Sequence, residues 1–145
     1  MPKASSSQSK PRIGAHTPTS GGMAKRSIAY AELTQAEAIQ VFTSNPRGWA
    51  MPESNHDADT LFREKATALD LEVYVHAPFL INLGSPTEDT YKNSLASTAY
   101  SLKRGEEIGA LGVVVASGLL TSPGPRSIDS PAADLASQTG SVRGS

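Results

Sequence analysis

The chain reads as an α/β protein on a parallel sheet, with about four strands and three helices between two disordered tails. Three observations predict this. From Arg12 onward, short apolar runs alternate with longer amphipathic ones, the β-α-β-α order of a parallel sheet. The run Val73-Tyr-Val75 is β-branched and aromatic, and it ends in a single histidine, His76, before a proline-containing loop. Leu111 to Val115 is wholly apolar, as a strand buried on both faces should be.

The elements follow in order. Arg12 to Ala15 is a weak first strand ending at His16. Ser20-Gly21-Gly22 opens a helix to about Leu33, with Met23, Ile28 and Ala31 as inward positions. Ala38 to Thr43 is the second strand, and the loop from Ser44 to Glu53 follows it. Ser54, with Asp57 three residues on, reads as the N-cap of a helix to about Leu69. Its apolar stripe is Leu61, Phe62, Ala66 and Leu69. Leu71 to Val75 is the third strand.

Ser85-Pro86-Thr87-Glu88 has the letters of a capping box with proline at the first helical position. The helix it predicts runs to about Ile108, carries Tyr91, Leu95, Ala99 and Leu102 on one face, and stops at Gly109. Leu111 to Val115 is the fourth strand. Residues 1–11 and 119–145 are polar or rich in Ser, Pro, Gly and Ala without periodicity, and read as disordered.

Length and composition narrow the function. The 145 residues suit one domain. A net charge of −1 means that any contact with nucleic acid must be local. The absence of cysteine leaves histidine and carboxylates as the strong metal ligands. No apolar stretch approaches the roughly 20 residues of a membrane span, and Met1 to Arg12 lacks the apolar core of a secretion signal. A cytoplasmic protein is the expectation.

His76 is the residue most suggestive of chemistry. Ligands and metals gather at the carboxyl ends of parallel strands, where the loops converge. The string His76-Ala-Pro-Phe79-Leu-Ile-Asn82-Leu-Gly84 resembles a signature of the endonuclease IV family, zinc-dependent apurinic/apyrimidinic endonucleases of DNA repair. Ile13-Gly-Ala-His16 with Gly21-Gly22, and Phe42-Thr43-x-Asn45-Pro46-Arg47-x-Trp49, resemble two further family patterns, so the similarity runs from about Ile13 to Gly118.

The resemblance implies the first half of a (β/α)8 TIM barrel over residues 12–118. It also implies a family activity: cleavage of the phosphodiester 5′ to abasic sites in DNA, using clustered zinc at the barrel mouth. Such ions polarise the phosphate and lower the pKa of bound water, and an abasic nucleotide flips out cheaply because it has no base to unstack. Residue by residue, His76 matches a zinc ligand and Arg47 a residue that inserts into the base stack. Phe79 stands where the family usually has a wedging tyrosine. His16 matches a supporting histidine near the mouth.

Two departures bear on activity. The family's fourth strand ends like Val-Val-His-x-Gly, its histidine a second zinc ligand; here Val114-Val115-Ala116-Ser117-Gly118 places an alanine there. The ligands from later strands have no counterpart before the Ser/Pro-rich tail. A truncated, inactive fragment of such an enzyme is therefore the alternative, and a xylose-isomerase-like sugar-phosphate barrel the further one. A half-barrel also exposes open sheet edges that invite self-association. His56 and the Lys25-Arg26 pair read as solvated surface, and Trp49 as either a cover for the sheet end or a DNA contact.

Overall fold

The computed structural model describes residues 10–116. They form β1 (Gly14–His16), α1 (Met23–Thr34), β2 (Ala38–Val41), α2 (His56–Ala68), β3 (Glu72–His76), α3 (Glu88–Ile108) and β4 (Gly112–Val114). The tails at 1–11 and 119–145 lie outside the described residues apart from Lys10 and Pro11. The four strands make one parallel sheet in the order β1-β2-β3-β4. One rung runs across it, from His16 to Gln40 to Tyr74 to Gly112.

Strand alternation separates two faces. Ile39, Val41, Val73 and Val75 are almost wholly buried and meet Ile28 and Ala31 of α1, Phe62 and Ala66 of α2, and Ile108 of α3 in a single core. Phe62 is 0% exposed and is the largest fully buried side chain. The opposite face carries Ala38, Gln40, Tyr74 and His76, partly exposed. Gly14 is required where β1 meets β2, since a Cβ there would lie 2.0 Å from the Ala38 carbonyl oxygen.

Several local expectations are corrected. Asn55, not Ser54, caps α2, its Oδ1 accepting from the Ala58 N–H at 3.1 Å. Thr87, not Ser85, is the N-cap of α3 and makes no side-chain cap bond. Ser85 is buried just ahead of the helix, where its Oγ accepts from the Thr87 N–H at 3.3 Å and pairs with the Thr87 hydroxyl. The backbone therefore turns helical two residues later than the Ser-Pro pair suggests.

The apolar stripes are also narrower than their spacing implies. Leu61, Leu69 and Leu102 are 46%, 44% and 49% exposed. The inward faces are Asp59, Phe62 and Ala66 on α2, and on α3 a mainly small set with Ser94, Leu95, Ser97 and Ser101. Gly109 ends α3 as predicted, at φ 72° in the left-handed region. The fourth strand is not buried on both faces: Val114 is 43% exposed at the sheet's edge.

Candidate functional site

Each strand delivers its last residue to one edge. His16 closes β1 and His76 closes β3, on the same face and 6.2 Å apart between ring centroids. Phe42, directly after β2, sits between them, 4.5 Å from His16 and 5.1 Å from His76. Phe79, from the loop after β3, adds an edge contact to Phe42 at 5.3 Å and to His76 at 5.2 Å. Such tilted and edge-on geometries are those aromatic pairs favour.

Arg47 lies in the loop after β2. Its N–H donates to the Asn45 side chain at 3.0 Å, which folds the Asn45-Pro46-Arg47-Gly48 segment into a turn with Arg47 exposed. That turn is tied to the next loop, because the Phe79 N–H donates to the Pro46 carbonyl at 2.9 Å. Arg47 and the 54%-exposed Phe79 are thus displayed together at the sheet's carboxyl edge. Trp49 is half-buried and His56 exposed at the start of α2.

Hydrogen bonding fixes the imidazoles. His76 Nδ1 lies 2.6 Å from the Ala77 carbonyl oxygen, so Nδ1 donates, and in the neutral imidazole Nε2 is the nitrogen with a lone pair. His16 Nδ1 lies 3.1 Å from Gln40 Oε1, which favours the same tautomer. This is the state a metal ligand needs. A complete centre is another matter, since among the described residues no group of three or more His, Cys, Asp or Glu side chains could hold a metal ion. Ala116, two residues beyond β4, contributes none. The described residues therefore do not fit a zinc cluster.

Beside this edge lies a groove of about 520 Å³, lined by Thr19, Ser20, Phe42, Asn45, Asn55 and Arg104 among others. In its wall Arg104 bonds both carboxylate oxygens of Asp59, at 2.6 and 2.9 Å, and also bonds Glu107. The Asp59 hydrogen bonds raise the arginine's already high pKa. Nothing in the sequence points to this pair, whose members stand 45 residues apart on α2 and α3. Tyr100 braces the loop above, its hydroxyl donating to the Pro52 carbonyl at 2.9 Å, and burial pushes its phenol pKa up.

No protein-family model matches the chain. Curated relatives do. A probable endonuclease 4 of Streptomyces avermitilis is 48% identical over 128 residues, 88% of this chain and 41% of the relative. Its counterpart in Streptomyces coelicolor is 50% identical over 123 residues, 83% of this chain and 42% of the relative. The crystal structure of endonuclease IV from Thermus thermophilus matches with a TM-score of 0.66 and 30% identity, over 72% of this chain and 39% of that one.

The chain is homologous to part of endonuclease IV. It spans about two fifths of the endonuclease IV relatives it matches, an extent that fits an N-terminal half. The sheet is accordingly a portion of the barrel to which the Thermus enzyme belongs. The 128 aligned residues reach beyond the stretch from Ile13 to Gly118, so similarity to the Streptomyces endonuclease IV sequence continues into the flanks. Among the described residues no helix is long and apolar enough to cross a membrane.

Proposed function

We propose that this chain is a DNA-contacting half of an endonuclease IV barrel, kept apart from hydrolysis by an incomplete metal centre. The observation that carries the reading is the joined pair of loops at the carboxyl edge, with Arg47 and Phe79 displayed together and braced by Phe42 and His76. An exposed arginine beside an exposed ring suits a duplex that is missing a base. The guanidinium meets phosphate or stacks, and the ring fills the gap in the base stack.

In an intact endonuclease IV, zinc would polarise the scissile phosphate and supply the nucleophile. In this chain His76 offers one nitrogen and His16 supports the same edge, while Ala116 interrupts the ligand set. What remains is recognition: abasic DNA is the partner, and cleavage needs groups that residues 10–116 do not bring together.

Fluorescence anisotropy on duplexes with and without one abasic site tests this reading. Wild type should prefer the abasic duplex, and Arg47→Ala and Phe79→Ala should each weaken that binding by about 1–3 kcal/mol, the cost of a lost stacking group. Equal binding by all three proteins would show that the loops do not probe DNA.

A further inference from the structure

We propose that the two sheet edges left open among the described residues pair with those of a second copy of this chain, closing a two-fold-symmetric eight-stranded barrel. The pairing depends on the fold alone and stands whether or not the loops contact DNA. A parallel sheet ordered β1-β2-β3-β4 presents β1 at one edge and β4 at the other. A two-fold axis along the barrel sets β4 of each copy beside β1 of its partner, with the strands still parallel.

The register supports this closure. An eight-stranded barrel of this kind has a shear of about 8 residues, so half a turn must shift the ladder by about 4. Here the rung from His16 ends at Gly112. Four residues from His16 are Arg12 on one side and Ser20 on the other. Ser20 lies beyond β1, whereas Arg12 shortly precedes it. Right-handed crossovers and right-handed strand tilt also carry the closing step toward the N-terminus. Gly112 then pairs with Arg12, Val113 with Ile13, and Val114 with Gly14 of the second copy.

The bonding directions agree. The Thr17 N–H donates to the Gln40 carbonyl, so in β1 the backbone groups of Gly14 and His16 point away from β2. Ala77 donates to the Val114 carbonyl, so in β4 those of Val113 and Val115 point away from β3. In the proposed register these outward groups interdigitate.

Nothing along the paired stretch resists it. Edges are normally blunted by lysine, proline, inward charges or bulges. Ile13 to His16 and Gly112 to Ala116 contain neither a charged residue nor a proline, and Arg12, opposite Gly112, is the one charged residue in the proposed register. Arg12 is already engaged with Asp70 and Glu72. Exposed apolar side chains line both seams, Ile13 at 70% and Val114 at 43%. The sheet measures about 19 by 17 Å from strand spacing and rise, roughly 320 Å² a side, well under the roughly 800 Å² per partner of a standard interface, so a weak, concentration-dependent dimer is expected.

Sedimentation velocity on the full chain, at concentrations from about 1 to 200 μM, reads this directly. The mass should rise from 15.2 kDa toward twice that value and level off. Val115→Pro, which removes an outward N–H, and Val114→Asp, which puts a charge at the seam, should both stay monomeric with unchanged circular dichroism. If Val115→Pro unfolds the chain, Val114→Asp and crosslinking decide the matter.

The chain has no cysteine, so Ile13→Cys/Val113→Cys can be oxidised in a clean background. Disulfide-linked dimers are expected, because facing strands lie within bridging distance. Within one copy the two edges are about 14 Å apart, too far to bridge. A monomer at every concentration, growth without a plateau, unimpaired dimers of Val114→Asp, or no crosslink would each overturn the proposal.

Discussion

The two faces of the sheet are built by the same strands, yet they differ in almost every physical respect. On the helix-covered face Ile39, Val41, Val73 and Val75 are 0–2% exposed and interlock with Phe62 and Ile108. On the other, Gln40, Tyr74 and His76 alternate with those same residues but stay partly open, and only this face carries the His16, Phe42 and His76 rings to the edge. One face holds the chain together and the other displays its chemistry. In a closed barrel, including one closed by two copies, the second face would be interior. In a single copy its polar and aromatic side chains tolerate water, so half a barrel can still form a packed layer.

Substitutions on each face put that contrast at risk. Phe62→Ala should be the most damaging, at about 3–5 kcal/mol for a fully buried ring leaving a cavity. Against a typical stability of about 5–15 kcal/mol, that lowers the urea midpoint markedly and, at the low end of the range, unfolds the chain. A loss of under about 1 kcal/mol would mean that α2 is not seated on the sheet. Asp59→Ala should follow, at about 3 kcal/mol, because it leaves the buried Arg104 with only Glu107 as an acidic partner. Its side chain and that of Arg104 are 5% and 8% exposed, so solvent cannot replace the lost bonds. Gln40→Ala, on the open face, should cost no more than about 0.5 kcal/mol, as surface changes do. At concentrations where the chain is monomeric, a loss as large as that of Phe62→Ala would show that the open face is covered within one copy and would erase the distinction.

The fold is legible in the sequence where one residue's surroundings decide the outcome. The β-branched run into His76, the apolar patch at Leu111 and the left-handed stop at Gly109 each rest on local preferences, and each lies within a residue or two of its expected place. The caps are less legible because Ser54, Asn55, Ser85 and Thr87 are all competent. Which one serves depends on where the preceding loop releases the backbone. Ser85 is held by the Thr87 N–H before the helix begins.

Leu61, Leu69 and Leu102 depart from expectation for another reason. Spacing identifies an apolar stripe but not its orientation, and α3 turns small residues to the core instead. The site divides along the same line. His16, Arg47, His76 and Phe79 stand out through their family-like strings, and they gather at one edge. The Asp59–Arg104 pair has no such string and exists only through the packing of α2 on α3.

Recognition and catalysis have come apart in this chain if the loops at the sheet's edge survive without a metal centre beneath them. The decisive experiment incubates the purified protein with zinc and a duplex carrying one abasic site, and resolves strand incision on a denaturing gel against a metal-free control. No incision above that control is expected, since among the described residues no cluster of ligands accompanies His76 and Ala116 has no group to bind a metal. Robust incision that a chelator abolishes would contradict this separation and restore the chain to the ranks of the nucleases.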